Sequence, residues 1–382
     1  MRIAVISELP QFLIGGIEAQ SYRQIQIWLR LGHEVRVFGK TLPESGTLEI
    51  DGAVIQLRRI RIWNRYGRLL RAASYFISLA KLIRQYESWA DVVYCMGLGD
   101  AAATVSVLKA LKLSTLPLVA MPGCAGPRGD VGYIRSVPGH RQIVRLLNRH
   151  CNAIVTIAPQ LPSDLSGLGL NVPLVDIPVG IPIGSPVLRA PTRSGPLKFV
   201  AIGRVVDQKG FDVLLTALTG LKADCDFAVE IIGDGPDRAR LEQLAVQLNV
   251  SRYVTWLGAL QPDQVPARLS AADVFVQPSR YEGLSNAAIE AMGCGLPVIV
   301  TRCGGIDEYI GASQGWTVPI EDADALAAAI ALALETPIES LRRMGQSCRQ
   351  IVEREFDIER TALSYLDLFA SLSQQVKAIR QV

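Results

Sequence analysis

The chain alternates short apolar runs with longer segments in which apolar residues recur at helical spacing. The predicted strands lie near residues 2–7, 34–39, 53–57, 91–95, 117–121, 153–157, 173–178, 197–203, 227–232, 254–257, 273–277, 297–301 and 315–318. Runs such as IAVI, AVEII and PVIV are apolar throughout, which is typical of strands covered on both faces of a parallel sheet. Their alternation with helices predicts a doubly wound α/β fold.

A chain of 382 residues is too long for one core, and it predicts two domains. The segment 177–198, IPVGIPIGSPVLRAPTRSGPLK, is rich in Pro, Gly and Ser and reads as a linker. We therefore predict a first domain over 1–190 and a second over 191–356. A final helical segment, 357–382, is predicted to pack back on the first domain.

Charge is distributed unevenly between the two predicted domains. Residues 1–190 hold 21 Lys and Arg against 12 Asp and Glu, whereas the remainder holds 18 against 24. The chain begins directly with a strand-like run, and no apolar stretch reaches the roughly 20 residues that span a bilayer. Seven cysteines without metal-type spacing suit a reducing compartment. We expect a cytoplasmic protein.

Two turns between strands and helices in the second half carry candidate ligand-binding residues. In AIGRVVDQKG, Arg204 and Lys209 flank a polar loop that opens a helix, which favours an anion site. An ordinary solvated loop is the alternative. In VEIIGDGPDR, the glycines allow a tight turn and close backbone approach, but a third glycine for a dinucleotide fingerprint is missing. A simple efficient turn is the alternative there.

The segment 281–297, YEGLSNAAIEAMGCGLP, holds two carboxylates eight positions apart. Ser285 or Asn286 is predicted to cap a helix that runs to about Met292, which places Glu282 in the preceding loop and Glu290 on the helix. Loops at the carboxyl ends of parallel strands are where open sheets bind ligands. Both carboxylates would accept hydrogen bonds from hydroxyls, or else they are ordinary surface charges.

These segments together resemble the retaining GT-B glycosyltransferases of family 4. Residues 281–297 resemble the family's E-x7-E signature, and GRVVDQKG resembles its Gly-Arg-x5-Gly segment. The turn at Gly15 and Gly16 resembles its N-terminal Gly-Gly loop. IGDGPDR, WLGAL and GLPVIVTRCGGIDEYI follow in the family's order. The resemblance implies a GT-B fold, with two Rossmann-like domains facing across a cleft.

The resemblance also implies roles for individual residues. Arg204 and Lys209 would neutralise the donor diphosphate, Glu282 would hold the transferred sugar, and Glu290 would hold the ribose. The remaining donor-binding residues implied by the family are Gly15, Gly16, Gly203, Gly235, Leu257, Gly283, Leu284, Ser285 and Asn286. Such enzymes retain anomeric configuration and need no metal or other cofactor, since fixed cations and helix N-termini stabilise the charge.

The acceptor side departs from the family pattern. Many members have a histidine in the loop after PLVAM, where this chain has PGCAGPRGD over 122–130. The acceptor-side candidates there are Gly123, Arg128 and Asp130, and Asp130 is the candidate to orient the attacking hydroxyl as a catalytic residue. A rigid loop that only caps the strand is the alternative.

The segment 58–84 holds eight cations and no acidic residue, beside aromatic residues such as Trp63. A basic amphipathic stretch favours contact with the inner face of an anionic membrane, and a solvated basic helix face is the alternative. With the membrane contact, the acceptor would be a saccharide or polyprenyl-linked saccharide of bacterial cell-surface polysaccharide or glycolipid assembly.

The leading hypothesis is therefore a glycosyltransferase that uses a nucleotide-sugar, with UDP-sugars first and GDP-sugars next. A GT-B sugar-nucleotide epimerase and a catalytically idle GT-B partner protein are the alternatives. No nucleic-acid-binding module is legible, so a nucleic-acid partner is not expected.

Overall fold

The computed structural model describes residues 1–13, 15–63, 67–123, 129–184, 195–221 and 226–380. The chain divides into two compact units, residues 1–180 with 358–382 and residues 181–357. The boundary that the sequence predicts near 190 falls within 185–194, which lies outside the described residues. The same holds for Arg128 and for residues 64–66 of the basic segment.

The first unit is built on one sheet. Its strands are β1 (Arg2–Ile6), β2 (Glu34–Gly39), β3 (Ser45–Ile50), β4 (Ala53–Arg59), β5 (Val92–Met96), β6 (Leu118–Met121), β7 (Ala153–Thr156) and β8 (Leu174–Asp176). They are ordered β3-β4-β2-β1-β5-β6-β7-β8, and every pair except β3 with β4 is parallel. Ile3 lies opposite Val35 on one side and Val92 on the other, so the continuous apolar run of β1 fills the middle of the sheet.

Strand β3 is absent from the strands that the sequence predicts. Its residues, SGTLEI, alternate between polar and apolar because it is an antiparallel edge strand with one solvated face. A signal for it was available in the two-residue turn to β4. Asp51 and Gly52 both have positive φ, 49° and 80°, as the Asp-Gly turns of tight hairpins require.

Helices cover both faces of this sheet. They are α1 (Gly16–Arg30), α2 (Gly67–Tyr86), α3 (Asp100–Ala110), α4 (Asp130–Ser136), α5 (His140–His150), α6 (Leu161–Gly167) and, from the far end of the chain, the helix Ile358–Arg380. Helix α3 packs against both α2 and α5, and α1 packs against Ile358–Arg380. Because right-handed crossovers leave β4, β5 and β6 in one direction along the sheet, α2, α3 and α5 share a face.

The C-terminal helix is held in the first unit by a buried aromatic cluster. The Trp28 indole donates its Nε1 hydrogen to the Ala362 carbonyl at 3.0 Å. The Trp28 ring lies 6.2 Å from Tyr365 and 5.6 Å from Phe369, in edge-to-face geometry. Aromatic pairs of this kind contribute about 0.5–1.5 kcal/mol each beyond the area that they bury.

The second unit is a fully parallel sheet. Its strands are β9 (Leu197–Ile202), β10 (Phe227–Ile232), β11 (Val254–Gly258), β12 (Val274–Gln277), β13 (Val298–Thr301) and β14 (Gly315–Val318). Its helices are α7 (Phe211–Thr219), α8 (Arg238–Gln247), α9 (Val265–Ala271), α10 (Asn286–Gly293), α11 (Ala323–Glu335) and α12 (Ile338–Glu355), which makes Ile358–Arg380 α13. Phe199, Val276 and Ile299 point to one face and form a core with residues of α7 and α11.

The strand order of the second unit fixes where a ligand site can form. The order is β11-β10-β9-β12-β13-β14, so the chain winds outward in one direction from β9 and then in the other from β12. In doubly wound sheets, ligands bind beyond the carboxyl ends of the strands at this point of reversal. A ligand site is therefore expected at the loops that follow β9 and β12.

Candidate functional site

Lys209 and Glu282 meet at the point where the strand order reverses. Lys209 ends a 3₁₀ turn, Asp207–Lys209, in the loop after β9, and Glu282 lies in the loop after β12. The Lys209 Nζ donates to Glu282 Oε1 at 2.5 Å, and the Ser279 hydroxyl donates to the same oxygen at 2.8 Å. The glutamate is buried, with 8% of its surface exposed. Both of these bonds use Oε1, and within the described residues Oε2 receives no hydrogen bond of its own.

Arg204 is the second cation of this site and differs from Lys209 in its surroundings. It is exposed at the end of the β9 loop, and within the described residues it makes no ion pair. Its carbonyl only receives the Val206 amide, at 2.9 Å. An exposed guanidinium without a carboxylate partner keeps its two-pronged donor geometry for an outside anion such as a phosphate.

The glycines in these loops bring backbones together. A Cβ on Gly233 would meet the Gly203 carbonyl oxygen, and one on Gly235 would meet that of Val205. The Val205 amide donates to the Asp234 carbonyl at 2.9 Å. The Gly-Asp-Gly turn after β10 therefore packs directly on the loop that carries Arg204. The close approach predicted from its glycines is an approach to this neighbouring loop.

The start of α10 is as the sequence predicts. Ser285 is the N-cap, and its hydroxyl accepts the Ala288 amide at 3.4 Å. Glu282 precedes the helix, and Glu290 lies on it, half-buried, one turn after Asn286 on the same side. The buried Gly283 carbonyl packs against Gly305, where a Cβ would collide with it. Gly283, Leu284 and Ser285 thus lead directly into the N-terminus of α10, where the Ser285 hydroxyl binds one of the first amides of the helix.

The environment of Glu282 also excludes a nearby thiol as a nucleophile. Cys303 lies in the loop after β13, and burial raises the pKa of its thiol to about 12, with the negative charges of Glu282 and Asp307 adding to the effect. A thiol with this pKa stays protonated at neutral pH.

Leu257 lies in β11, partly exposed, next to Gly258, whose φ of +71° ends that strand. The Gly233 amide donates to the Gly258 carbonyl at 2.8 Å, which joins the ends of β10 and β11. Leu257 and Gly235 are therefore placed on neighbouring strand ends, on the side of β9 away from Glu282.

The remaining predicted residues belong to the first unit. Gly15 is the N-cap of α1 in an extended conformation, and Gly16 is the first residue of that helix. Asp130 begins α4, and its two oxygens accept the amides of Leu98, at 3.1 Å, and Gly123, at 2.8 Å. These bonds tie the ends of β5 and β6 together, which is a structural role for Asp130 that its sequence context did not reveal.

Two features of the strand ends escaped sequence reasoning. In the first unit the Tyr133 hydroxyl donates to Asp100 Oδ1 at 2.8 Å, beside the carboxyl end of β5. In the second unit Arg280 contacts three acidic residues. Arg280 lies in PSRYEG, two positions before the first glutamate of the E-x7-E segment. A single arginine in a polar loop does not indicate which residues it will bind.

Within the described ranges, no group of three or more His, Cys, Asp or Glu side chains is arranged to hold a metal ion. Across those same ranges, no helix is both long enough and apolar enough to cross a membrane.

Comparison with known proteins identifies the second unit. Residues 189–351 match the family model described as glycosyl transferases group 1. This part of the chain belongs to the group 1 glycosyltransferases. The resemblance derived from the sequence motifs is thereby confirmed at the level of the family.

Curated relatives match the chain over part of their length. It is 34% identical over 170 residues to the putative colanic acid biosynthesis glycosyltransferase WcaL of Escherichia coli, which is 42% of either protein. It is 29% identical over 273 residues to a GDP-mannose-dependent monoacylated alpha-(1-6)-phosphatidylinositol monomannoside mannosyltransferase of Corynebacterium glutamicum, which is 64% of this chain and 71% of that protein. The chain thus aligns with less than half the length of the first of these relatives.

Solved structures share the fold over nearly the whole chain. Sucrose-phosphate synthase from Thermosynechococcus elongatus superposes with a TM-score of 0.80 at 21% identity, over 97% of this chain and 98% of that one. WaaG, a glycosyltransferase involved in lipopolysaccharide biosynthesis, gives 0.74 at 17% identity, over 96% and 99%. Anabaena HepE in complex with UDP gives 0.75 at 18% identity, over 97% and 100%. The predicted GT-B fold class is confirmed.

Proposed function

We propose that this protein is a retaining glycosyltransferase that moves a sugar from a nucleotide-sugar to a saccharide or lipid-linked saccharide in cell-surface polysaccharide or glycolipid assembly. The observation that carries the proposal is the Lys209–Glu282 pair at the strand reversal of a unit that matches the group 1 glycosyltransferases. The loop that carries Lys209 also carries Arg204, which makes no ion pair within the described residues. Its named relatives are glycosyltransferases, which favours transfer over the epimerase and idle-partner alternatives.

The two cations suit the leaving diphosphate. Breaking the bond between the sugar and its diphosphate builds negative charge on a phosphate oxygen. Arg204 approaches from the open end of the β9 loop, and Lys209 is fixed at the other end of the same loop. Preorganised positive charge of this kind stabilises the transition state without reorganisation, and we infer that it takes the place of a metal ion. The N-terminus of α10 adds amide donors for the same anion.

The carboxylates suit hydroxyls. Glu282 is held by Lys209 and Ser279 through Oε1, which leaves Oε2 to accept a hydroxyl of the transferred sugar. A sugar bound to Glu282 would lie close to the Lys209 ammonium, because the two side chains are bonded to each other. The same pair would therefore orient the bond between the sugar and the diphosphate. Glu290, one turn after Asn286 on α10, would accept the ribose hydroxyls. The base would lie toward Gly235 and Leu257, across β9.

Substitution of the pair tests this assignment. Glu282→Ala and Lys209→Ala should each abolish release of the nucleoside diphosphate and transfer of the sugar, while the circular dichroism spectrum stays that of the wild type. Lys198→Ala, on an exposed lysine of the same unit at the opposite end of β9, is the matched control and should keep full activity. Near-normal activity in both site variants would overturn the assignment.

The donor base is proposed to be uracil, with guanine next. A structural neighbour is known in complex with UDP-glucose, whereas a sequence relative is named as GDP-mannose-dependent. A thermal-shift panel of UDP-glucose, UDP-galactose, GDP-mannose and ADP-glucose separates these. A donor present at 100 times its Kd adds about 2.7 kcal/mol to the native state, which raises the Tm of a unit of this size by about 5–10 °C.

We also propose that the acceptor side lies in the first unit, at Gly123, Arg128 and Asp130, and that the protein works at the inner face of the cytoplasmic membrane. Some cations of the basic segment 58–84 have partners within the first unit. Arg58 and Arg59 end β4 and bond to Tyr86 and the Leu42 carbonyl, and Arg61 pairs with Glu44. These cations serve the unit itself.

The outer sides of α2 and α5 remain for an anionic surface. Leu70 and Ile77 of α2 are large apolar residues that are 48% and 64% exposed. Exposed cations accompany them on the same helical layer: Arg71, Lys81 and Arg84 on α2, and Arg141, Arg145 and Arg149 on α5. None of these six forms an ion pair within the described residues. Arginines four apart repel one another, so α5 keeps this stripe at a small loss of stability.

Sedimentation with phosphatidylglycerol vesicles tests the surface. Each cation near an anionic bilayer contributes about 1 kcal/mol, so changing the three α5 arginines to Gln should weaken binding about 100-fold. The control changes three exposed arginines of the second unit to Gln, Arg240, Arg252 and Arg343. Equal sedimentation of the α5 variant and the control would remove this surface from the proposal.

A further inference from the structure

Arg280 joins the two loops that carry the site residues. It lies in the loop after β12, two positions before Glu282. Its Nη1 and Nη2 donate to the two carboxylate oxygens of Asp212 at 3.0 and 2.8 Å. Its Nη1 also donates to the Asp207 carbonyl at 2.6 Å, and its Nε donates to Glu321 at 2.8 Å. One side chain thus holds the start of the 3₁₀ turn that ends at Lys209, the first turn of α7 and the loop after β14.

The backbone continues the same link. The Arg280 amide donates to the Gln208 carbonyl at 2.9 Å, and the Gln208 side chain donates to the Tyr281 carbonyl at 3.0 Å. Residues 207 and 208 are therefore bound to residues 280 and 281, and the next residue of the first loop is Lys209. On the second loop the next residue is Glu282. We call the bonds between residues 207–208 and residues 280–281 the clamp. The Lys209–Glu282 ion pair follows it directly on both loops.

Most of the N–H donors of the Arg280 guanidinium are already used, which separates its role from that of Arg204. Four of its five N–H donors are used. Burial would raise the pKa of Asp212, but the hydrogen bonds and charge of Arg280 lower it below its usual value. The Arg280 side chain is only 16% exposed and faces three carboxylates. A guanidinium in this state has no free fork for a diphosphate, and its charge is already compensated.

We infer that Arg280 is a positioning residue that fixes Lys209 against Glu282, and that it acts on the donor only through that lysine. The inference rests on the proposed function for its consequence in catalysis, but the geometry it describes belongs to the protein alone. Lys209 and Glu282 lie on loops that follow different strands, so chain connectivity alone does not keep them at a 2.5 Å contact. The bidentate bond from Arg280 to Asp212 helps to hold the two loops together, because it fixes one orientation of the guanidinium and anchors it on α7.

Chemical labelling of Lys209 measures this directly. N-acetoxysuccinimide acylates free amines, and mass spectrometry of the digested protein reports each lysine separately. In the wild type Lys209 should react slowly, because its ammonium is bound to Glu282, whereas the exposed Lys198 serves as the internal standard. Arg280→Met should raise the rate at Lys209 about tenfold or more, since each lost charge-assisted hydrogen bond shifts a local opening equilibrium by roughly that factor.

Two further variants separate positioning from general destabilisation. Asp212→Asn keeps the size of that side chain but removes the charged fork, so it should raise the labelling rate of Lys209 by an intermediate factor. Arg342→Met removes a guanidinium of similar exposure that is paired with Glu339 inside α12, and it should leave the rate unchanged. An unchanged rate in Arg280→Met, or an equal rise in Arg342→Met, overturns the inference.

A second arm of the same experiment addresses the proposed function separately. Addition of UDP or GDP to the wild type should slow labelling of Lys209 and leave Lys198 unaffected. A lack of protection by both nucleotides would count against the diphosphate site, while the comparison of variants without nucleotide would still decide the role of Arg280. Once protection is established, calorimetric titration gives the affinity of each variant for the nucleotide. Arg280→Met alone should weaken nucleotide binding, whereas the same change in a Lys209→Ala background should alter the affinity by less than about twofold.

Discussion

The Lys209–Glu282 pair makes a sharp prediction for stability that is independent of catalysis. Glu282→Ala removes the acceptor of two hydrogen bonds, one from an ammonium at 2.5 Å and one from the fully buried Ser279 hydroxyl at 2.8 Å. Removal of one member of a fully buried pair costs about 3–5 kcal/mol. Here the two charged side chains keep 17% and 10% of their exposure, so solvent recovers part of the loss. We expect Glu282→Ala to lower the free energy of unfolding by about 2–3 kcal/mol.

The assay is thermal and urea unfolding of purified variants, followed by tryptophan fluorescence. A loss of this size corresponds to a fall in Tm of about 4–12 °C for a unit of this length. The matched control is Glu339→Ala, which breaks an ion pair with Arg342 whose glutamate side chain is 62% exposed. That change should cost less than about 0.5 kcal/mol, as exposed pairs generally do.

A double substitution tests the physical reason. Lys209→Met combined with Glu282→Met removes both charges and leaves no unpaired ion, so it should be no less stable than either single variant. The reasoning would be refuted if Glu282→Ala were as stable as Glu339→Ala, or if the losses of the two single changes simply added. Either result would mean that water already solvates the pair in the folded protein.

Three further predictions concern the loops around the pair. Gly210→Ala should destabilise the protein by about 2 kcal/mol or more, because its φ is +63° and a Cβ would meet the Pro278 carbonyl oxygen. Asp212→Asn should lose stability at pH 5–7; because Arg280 lowers the pKa of this carboxyl, the deficit should shrink as the pH falls below about 4. Ser285→Ala should lose about 1 kcal/mol, the usual effect of removing an N-cap. Urea unfolding, at pH 3–7 for the second variant, measures all three.

Each of these has its own control. Gly311→Ala, at a glycine whose φ is not positive, should be nearly neutral, and an equally neutral Gly210→Ala would contradict the steric argument. A deficit of Asp212→Asn that stays constant down to pH 3 would show that the carboxyl is not held ionised. Ser285→Asn should retain most of the capping, so the cap assignment fails if Ala and Asn at this position are equally stable.

Much of the fold could be read from the sequence because the relevant forces are local or periodic. Buried parallel strands need apolar residues at successive positions. Runs such as PVIV and IAVI therefore predict strands from the local sequence alone. The start of α10 was also legible, since Ser285 must satisfy amides that any helix leaves open. The apolar pattern does not predict strand β3, because an edge strand needs only one apolar face; the local signal for this strand is its Asp-Gly turn.

The candidate site was legible only in part. Residue types and spacing singled out Arg204, Lys209 and Glu282, and they placed Glu282 before the helix. They left open whether the loops meet. Lys209 and Glu282 are separated by 73 positions, and the strand order, with β9 and β12 adjacent at the reversal, brings them together. Sequence also left Asp130 as a candidate to orient a hydroxyl, whereas its observed bonds go to the amides of Leu98 and Gly123.

What the sequence determined by itself is the set of strands, the helix starts and the chemical types gathered at the strand ends. These depend on the preferences of each segment for burial, turn geometry and capping. The tertiary structure decided which charges are compensated. Arg204 and Arg280 are both arginines in polar loops. Arg204 is exposed and forms no ion pair with any described residue, whereas Arg280 is bound to Asp212, Glu321 and the Asp207 carbonyl. That difference arises from contacts between loops far apart in the chain. It makes Arg204 a candidate to bind phosphate and Arg280 a positioning residue.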